Sequence, residues 1–409
     1  MSRVVKLEEL CIPDQIGKYG IPAVAEEFSE DKVRYLRITD IDDYGNLLEN
    51  DKKSVSSPEI EKYILKEGDI VFARTGNSTG RTYFHEEKNG ELAFAGFLIK
   101  FSLDESKVNP KYLKYFTISK PYKQWVDNLS NGSTRGNINA KTFADCPIIL
   151  PPRAQQDYLV RVLSSLEEKI QINDQINQEL EAMAKTLYDY WFVQFDFPDQ
   201  NGKPYKSSGG KMVYNPELKR EIPEGWGVEK LKYFSKYVSD KVESSELNIE
   251  NYVGTDNMIV DMGGIELTTS IPKSGTSTKY SIGDILISNI RPYFKKIWLS
   301  DRVGGCSSDV LCIRTKKIVS REFVFATLAR DDFFNYDVAG SKGSKMPRGD
   351  KKHIMEYPIV FDFEIADRFS KIVRPIYEAV HKNYIQNQEL TQLRDWLLPM
   401  LMNGQVKVE

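Results

Sequence analysis

Residues 154–191 read AQQDYLVRVLSSLEEKIQINDQINQELEAMAKTLYDYW and contain neither glycine nor proline. Apolar residues return every three or four positions, which predicts one long amphipathic helix with a heptad seam. A second seam near the C-terminus contains Pro375, so we expect that helix to begin anew or to kink there. The seam residues are Leu159, Leu163, Leu166, Ile170, Leu180, Ala184, Leu187 and Trp191 in the first helix, and Phe369, Val373, Ile376, Val380, Leu390, Leu397 and Leu401 in the second.

Several short segments of the chain occur twice and in the same order. The pairs are Gly68–Val71 with Gly283–Leu286, Cys146–Ile149 with Tyr357–Val360, and Asn177–Leu180 with Asn387–Leu390. A single match of four residues arises by chance, whereas an ordered series indicates an internal duplication. Each copy therefore consists of a globular domain followed by a long helix.

Short apolar runs and helical patterns alternate within each globular domain. Strands are predicted at Ile70–Ala73, Leu98–Phe101 and Val310–Ile313, and helices at 110–125 and 321–336. We predict an α+β fold with two globular α/β domains, joined by two long antiparallel helices that form a coiled coil with an internal pseudo-twofold repeat. The predicted boundaries are 1–152 for the first domain, 153–197 for the first helix, 198–225 for a connector rich in Gly, Pro, Ser and Lys, 226–362 for the second domain, and 363–409 for the second helix.

Asparagines interrupt both seams at matching places. If the helices pair antiparallel, Asn173 faces Asn387 and Asn177 faces Asn383. A buried asparagine at a seam position costs stability but sets the register of the pair. The alternative is that the seam shifts onto Ile172 and Ile176 and that the asparagines are solvated.

Charge is distributed unevenly along a chain whose net charge is −3. From Lys273 to Lys352 there are sixteen Lys and Arg against eight Asp and Glu, whereas residues 154–190 carry seven acids and three bases. A basic region fits a polyanion and an acidic one fits a protein partner. The alternative is that both regions are simply solvated surfaces.

The composition argues against metal and membrane functions. Four cysteines lie far apart without a C-x-x-C pair, and no two of the three histidines have metal-ligand spacing. This pattern predicts neither a metal site nor a disulfide framework, and it fits a reducing cytoplasm. No apolar run approaches the roughly 18 residues of a membrane span, and the first residues lack the apolar core of a signal peptide.

Known catalytic motifs are also missing from the sequence. There is no phosphate-binding loop, dinucleotide fingerprint, nucleophile elbow or zinc-protease motif. Glu217 and Lys219 form an E-x-K tripeptide of nuclease type, but such tripeptides are common and this one lies in the connector. We therefore expect a binding protein without catalytic residues, and we keep a nuclease acting through this pair as an alternative.

Two polar loops in each globular domain carry the residue types that recognise DNA. Arg and Lys bind phosphates or the edge of guanine, Asn pairs with adenine, and glycine lets the backbone approach closely. The alternative is that these Gly-, Ser- and Asn-rich loops are ordinary turns. The candidates are Arg74, Asn77, Ser78, Thr79, Arg81, Ser133, Thr134, Arg135, Asn137 and Asn139 in the first domain, and Asn289, Arg291, Lys295, Lys296, Lys342, Ser344, Lys345 and Arg348 in the second.

Segments around both helices resemble the conserved regions of specificity subunits of type I restriction-modification systems. The resemblance covers nearly the whole chain and is weakest in the globular domains. The similar segments are PIILPPRAQQ at 147–156, LSSLEEKI at 163–170, NQELEAMA at 177–184, YWFVQFD at 190–196, IPEGW at 222–226 and LRDWLLPMLMNGQV at 393–406.

The resemblance implies a DNA-recognition function for the two globular domains. Each would be a target-recognition domain that reads one half of a bipartite asymmetric site in double-stranded DNA, while the helices set the gap and dock partners. The implied partners are two methyltransferase subunits, which use S-adenosylmethionine, and restriction subunits, which use ATP and magnesium. Neither cofactor is expected on this chain. A stand-alone DNA-binding regulator is the alternative.

Overall fold

The computed structural model describes residues 2–49, 51–130, 137–343 and 345–402. The chain forms two compact units. Unit 1 comprises residues 1–171 and 386–409, and unit 2 comprises residues 172–385. The two long helices, α4 (Arg153–Tyr188) and α9 (Phe363–Met402), therefore each contribute one part to unit 1 and one part to unit 2.

Unit 1 contains two four-stranded sheets with strand orders β2-β9-β6-β7 and β3-β5-β4-β8, and the separate antiparallel pair β1-β10. Its strands are β1 (Arg3–Lys6), β2 (Lys18–Tyr19), β3 (Glu26–Glu27), β4 (Arg34–Leu36), β5 (Lys53–Ser54), β6 (Asp69–Ala73), β7 (Thr82–Phe84), β8 (Leu92–Phe94), β9 (Leu98–Ser102) and β10 (Pro147–Leu150). Its short helices are α1 (Pro110–Phe116), α2 (Lys120–Ser130) and α3 (Ala140–Ala144).

Unit 2 likewise contains two four-stranded sheets, β14-β21-β18-β19 and β15-β17-β20-β16, and the antiparallel pairs β11-β12 and β13-β22. Its strands are β11 (Met212–Asn215), β12 (Arg220–Pro223), β13 (Gly227–Lys230), β14 (Ser235–Tyr237), β15 (Lys241–Glu243), β16 (Tyr252–Val253), β17 (Thr276–Tyr280), β18 (Ile285–Ser288), β19 (Ile297–Leu299), β20 (Gly304–Cys306), β21 (Val310–Thr315) and β22 (Pro358–Phe361). Its short helices are α5 (Leu231–Phe234), α6 (Arg321–Leu328), α7 (Asp331–Gly340) and α8 (Lys351–Met355).

The predicted α+β class is confirmed, and the duplication is visible in the strand pairing. In unit 1, β6 lies between β7 and β9 in antiparallel ladders, and in unit 2, β18 lies between β19 and β21 in the same way. Each unit also contains one parallel pair, β4 with β8 and β16 with β20. The first strand of each domain pairs with the strand that precedes its long helix.

A buried aspartate explains the repeated Gly-Asp-Ile segment. Asp69 accepts hydrogen bonds from the backbone of Lys66 at 2.9 Å and from the Ser102 hydroxyl at 2.5 Å, and it pairs with Lys100 at 3.1 Å. The preceding Gly68 has a φ of +81°. Glycine adopts this left-handed conformation readily because glycine has no Cβ. The carboxylate therefore closes the turn before β6 and ties β6 to β9.

The equivalent Asp284 has the same role in unit 2. It accepts from the backbone of Ser281 at 2.7 Å and from the Arg314 guanidinium at 2.7 and 2.8 Å. Gly283 precedes it with a φ of +87°. The hydrogen bonds that Arg314 donates to this carboxylate raise the pKa of Arg314 above its ordinary value.

Within unit 2, the helices α4 and α9 run antiparallel. Tyr188 packs against Phe369 with ring centroids 5.7 Å apart, and the Asn177 amide donates to the Val380 carbonyl at 3.3 Å. Eleven residues separate the two contacts on each helix, in opposite directions along the chain. The Asn383 amide donates to Asn177 Oδ1 at 2.9 Å, so the structure brings these two asparagines together.

The buried face of α4 passes through the asparagines. Asn173 and Asn177 are buried, whereas Ile172 and Ile176 are exposed. The alternative in which the seam shifts onto the two isoleucines is therefore wrong. A buried amide is stable when its polar atoms have partners, which the bonds to Val380 and Asn383 supply for Asn177.

Within unit 1, the other ends of α4 and α9 also run antiparallel. The Asn387 amide donates to the Ile170 carbonyl at 3.4 Å. Further from that bond on both helices, Leu159 and Leu163 share one hydrophobic core with Leu398. The hydroxyl of Tyr115, on α1, contacts Ser164 Oγ at 3.1 Å and so ties the globular domain to α4.

Three local predictions need correction. The second helix does not begin anew at Pro375 but runs unbroken from Phe363, because the fully buried Phe369 and Val373 hold its first turns. Each helical pattern at 110–125 and 321–336 is divided into two helices, at 117–119 and 329–330. The connector contains an antiparallel hairpin, β11 with β12, that its composition did not indicate.

Replacement of the buried carboxylate should destabilise unit 1. We expect Asp69→Ala to lower the free energy of unfolding by about 3 kcal/mol, because it leaves the buried Lys100 charge without a partner. The measurement is urea denaturation followed by circular dichroism. Asp31→Ala, at an exposed position, is the matched control and should be neutral. Equal stability of both variants would contradict this role of Asp69.

Candidate nucleic-acid interface

Each unit presents an eight-residue turn between two equivalent strands. Turn 1 (residues 74–81) joins β6 to β7, and turn 2 (residues 289–296) joins β18 to β19. The strand registers are the same, with Phe72 opposite Thr82 in unit 1 and Ile287 opposite Ile297 in unit 2. The two turns therefore leave and re-enter their sheets in the same way.

The two turns also share their left-handed backbone positions. In turn 1, φ is +74° at Gly76 and +86° at Gly80. At the equivalent places in turn 2, φ is +51° at Arg291 and +50° at Lys295. Residues with a Cβ are strained in this region by about 1–2 kcal/mol. Unit 2 thus retains two cationic side chains where the backbone favours glycine.

Turn 1 meets the second predicted loop of unit 1. The Ile138 amide donates to the Arg74 carbonyl at 2.9 Å, and Arg74 Nε donates to Asn137 Oδ1 at 3.3 Å. The Arg74 guanidinium lies over the Tyr19 ring, 5.1 Å from its centroid. Asn137 and Ile138, at the described end of the second predicted loop, thus lie against turn 1. Ser133, Thr134 and Arg135 lie outside the described residues.

Turn 2 meets the equivalent loop of unit 2, which forms a hairpin here called hairpin 2 (residues 342–348). Lys342 and Arg348 exchange two backbone hydrogen bonds of 2.9 Å. The Arg291 amide donates to the Pro347 carbonyl at 2.8 Å, which ties hairpin 2 to turn 2. Ser344 lies outside the described residues.

Four of the eight predicted basic side chains that the structure describes pair with acidic neighbours. Arg81 Nε pairs with Asp43 at 2.7 Å, and the Arg81 side chain also donates to the Ile41 carbonyl. The other pairs are Lys295 with Asp331 at 2.7 Å, Lys342 with Asp350 at 2.5 Å, and Arg348 with Asp309 at 3.1 Å, while Lys296 Nζ donates to the Thr255 carbonyl at 2.8 Å. The pairs of Lys342 and Arg348 are solvent-exposed, so a phosphate could replace the carboxylates at small cost.

Three candidates have side chains that remain available for a ligand. Asn77 and Lys345 are exposed, and neither side chain makes a hydrogen bond or ion pair with the described residues. Arg291 is half-buried, and its Nε has no hydrogen-bond partner in the described part of the chain. A guanidinium NH without a partner points to a ligand, because leaving such a donor unpaired is costly.

Four other candidates have structural roles in the loops. Ser78 and Asn289 are only 7% and 8% exposed. Asn139 caps α3, because its Oδ1 accepts from the Thr142 amide at 2.9 Å. The Thr79 hydroxyl donates to the Gly76 carbonyl at 2.7 Å. These positions shape the loops, and direct DNA contacts by the buried Ser78 and Asn289 have no support from their placement.

Sequence reasoning missed a buried acid behind turn 2. Asp337 is fully buried on α7, and both of its carboxylate oxygens lack partners among the described residues, as does Asn289 Oδ1. A Cβ at Gly349 would lie within 3 Å of an oxygen of each side chain, so this glycine permits their close approach. Burial raises the pKa of Asp337 to about 6, and nearby His353 opposes the shift.

The remaining groups with potential chemistry have structural partners or are buried. Burial raises the pKa of the Cys11 and Cys146 thiols to about 12, which leaves them protonated and unreactive. Glu217 pairs with Lys230, so the geometry gives no support to the nuclease alternative through Glu217 and Lys219. In the described ranges, no three His, Cys, Asp or Glu residues cluster as potential metal ligands, and no helix combines the length and apolarity of a membrane span.

Comparisons with known proteins agree with the resemblance to type I specificity subunits seen in the sequence. The type I restriction modification DNA specificity domain matches residues 3–182. The MjaIX specificity subunit of Methanocaldococcus jannaschii is 24% identical over 73% of this chain and 69% of its own length, and the HindI specificity subunit of Haemophilus influenzae is 21% identical over 85% and 89%. The matching family model covers less than half of the chain, and both of these relatives are specificity subunits of type I restriction enzymes. A crystal structure of the S subunit from M. genitalium shares the fold with a TM-score of 0.58 at 14% identity, covering 98% of this chain and 96% of that one.

The similarity to these proteins does not reach the individual side chains of the two turns. Turn 1 reads RTGNSTGR and turn 2 reads NIRPYFKK, so equivalent backbone positions carry different chemistry in this chain. The DNA-contact residues named from the sequence therefore remain predictions. The structure shows which of these residues lie close together and which have side chains available to bind a ligand.

Exchanging the left-handed residues between the turns should shift stability in opposite directions. We expect Arg291→Gly to raise the free energy of unfolding by about 1 kcal/mol, because it removes a strained Cβ at a φ of +51°. Gly76→Ala should lower it by a similar amount, since the new Cβ meets only Ile38 at 4.0 Å and the cost is backbone strain alone. Denaturation midpoints measure both variants, and a neutral Gly76→Ala would refute the strain argument.

The buried Asp337 should make stability depend on pH. Its folded-state pKa of about 6 lies above the ordinary value, so its favourable contribution is complete below about pH 4 and is lost as the pH rises through 6. Asp337→Asn should therefore be more stable than the unmodified chain at pH 7, by up to about 3 kcal/mol. The difference should vanish near pH 4 in urea titrations. A constant difference at both pH values, or none at pH 7, would contradict the assignment.

Proposed function

We propose that units 1 and 2 read the two different halves of a bipartite asymmetric site in double-stranded DNA, on behalf of a type I restriction-modification complex. The observation that carries this proposal is the pair of turns. They have the same register and left-handed positions but different side chains. A repeated frame with unlike contact residues suits a site whose halves differ in sequence.

The exposed groups around the turns fit the two tasks of DNA recognition. Lys342, Lys345 and Arg348 on hairpin 2 suit phosphate contacts, which hold the protein in register without reading sequence. Arg291 on turn 2 and Asn77 on turn 1 suit contacts with base edges, because guanidinium and amide groups bind guanine and adenine bidentately. We propose the remaining predicted loop residues as supporting contacts.

The long helices suit a spacing and docking role. The bond between Asn177 and Asn383 sets the register of the pair within unit 2, because a slipped helix would bury unpaired amides. On the outer face of α4, Ile172, Ile176 and Met183 are exposed at helical spacing. We propose that this face binds a methyltransferase subunit, and that the full complex holds two such subunits with S-adenosylmethionine and restriction subunits with ATP and magnesium.

The chain itself is proposed to be non-catalytic and to bind neither cofactor. Support comes from the placement of its reactive groups, since the thiols of Cys11 and Cys146 are buried and Glu217 is paired. The similarity to type I specificity subunits favours this function over a stand-alone regulator. Recognition and chemistry would then reside on different subunits of one complex.

Lengthening both helices should change the gap between the half-sites. We propose inserting one heptad after Gln171 in α4 and one after Ile385 in α9, the positions at which the two units meet along the chain. Seven helical residues add about 10 Å, which is about three base pairs of DNA. Methylation sequencing of cells that carry the complex should show both half-sites unchanged and a gap about three base pairs longer.

The matched control is an insertion of seven residues between Ser207 and Ser208 in the connector, which should leave the methylated site unchanged. An unaltered gap in the helix variant would refute the spacing role. Loss of sequence-specific methylation in the connector control would show that an insertion outside the helices also disturbs recognition. That outcome would contradict the proposal that the helices, and not the connector, set the gap between the half-sites.

A further inference from the structure

An aromatic pair lies at the tip of turn 2. The side chain of Tyr293 is 47% exposed, and its ring meets that of Phe294 edge-on with centroids 4.8 Å apart. The equivalent residues of turn 1 are Ser78 and Thr79, which are small and polar. The aromatic pair is thus particular to unit 2 and is not required by the shared backbone of the turns.

The backbone beneath the pair is strained and tightly held. The Phe294 carbonyl accepts from the Asp261 amide at 2.9 Å, and the Lys295 carbonyl accepts from the Met262 amide at 2.8 Å. Asp261 and Met262 have φ values of +52° and +65°, so they also lie in the left-handed region, like Arg291 and Lys295. Strain of this kind persists only where surrounding bonds enforce it, and it concentrates at functional sites.

Two cationic side chains lie over the ring of Phe294 rather than over that of Tyr293. The Arg291 guanidinium and the Lys296 ammonium each lie 6.0 Å from the Phe294 ring centroid. Such contacts hold a ring in place by cation–π attraction. Phe294 therefore acts as a support, and Tyr293 projects beside it into solvent.

The charges around Tyr293 indicate which partner meets the ring. Hairpin 2 is bonded to turn 2 through Arg291 and Pro347, and it presents Lys345 and the exposed Met346. Isolated exposed aromatics are common on protein surfaces, but an exposed ring on a turn that carries Arg291, Lys295 and Lys296 suits a polyanion with flat apolar groups. Double-stranded DNA has both features, because its phosphates line the grooves and its bases stack between them.

We propose that Tyr293 is an aromatic wedge that enters a base step of the half-site read by unit 2, with Phe294 as its support. This inference rests on the proposed function of unit 2. Turn 1 carries small polar residues at the equivalent positions, so this wedge belongs to turn 2 alone of the two turns. Partial unstacking of a base step gives specificity through the ease with which that step deforms.

The test uses the full chain assembled with its methyltransferase partners. The probes are duplexes of the methylated target, each with one base replaced by the fluorescent analogue 2-aminopurine, which brightens when it is unstacked. The variants are Tyr293→Ala and Tyr293→Phe. Tyr214→Ala, at a 61% exposed tyrosine on β11 in the connector, is the matched control.

We expect the unmodified complex to brighten the probe at one step of the second half-site. Tyr293→Ala should abolish that signal and weaken binding about tenfold, as loss of base–aromatic stacking does. Tyr293→Phe and Tyr214→Ala should keep both the signal and the affinity. The signal of the base that the methyltransferase flips out for catalysis should persist in every variant.

An unchanged fluorescence profile in Tyr293→Ala would overturn the wedge. Weaker binding by Lys345→Ala in the same assay would then show that unit 2 still contacts DNA and that the proposed function stands. Failure of the unmodified complex to prefer its methylated target over an unrelated duplex would instead refute the proposed function, and the wedge with it. Circular dichroism of each variant excludes misfolding as the cause of a loss.

Discussion

A carboxylate buried between two strands supports each of turns 1 and 2. Asp69 in unit 1 and Asp284 in unit 2 close the turn before the central strand and bind a cation on the neighbouring strand. Asp69 is the first residue of β6, and Asp284 immediately precedes β18. These two apolar strands lead into turns 1 and 2. Because the paired strand ends are held in register, the turns can vary in sequence without losing their position on the sheet. The position of each turn thus depends on a buried carboxylate–cation contact that is present in both copies.

The sequence predicted those features that rest on periodicity and repetition. The heptad seam of residues 154–191 predicted α4, and the doubled Asn-Gln-Glu-Leu segment predicted the duplication and the antiparallel pairing. These signals are local or repeated, so they survive without knowledge of tertiary contacts. The uninterrupted α9 was not predictable, because packing around Phe369 and Val373 outweighs the lost hydrogen bond of Pro375.

The finer features of the candidate site depend on tertiary structure. Glycine marks the left-handed positions of turn 1, but Arg291 and Lys295 occupy the same conformation without any sign in the sequence. Likewise, Asn289 has the residue type of a base-reading contact, and only the fold shows that it is buried. Asp337 gave no signal, because the burial of an acid depends on the elements that cover it.

Turns 1 and 2 have the same length, the same strand register at both ends and the same pair of left-handed positions. An eight-residue segment moved from one unit to the other would meet its flanking strands with the ladder bonds in phase. The backbones of the two turns are therefore interchangeable, but their side chains are not, because a Cβ at Gly80 would lie 2.5 Å from Val126 Cγ1 in the hydrophobic core of unit 1. A segment transferred from turn 2 into unit 1 would fit that core only with glycine retained at position 80.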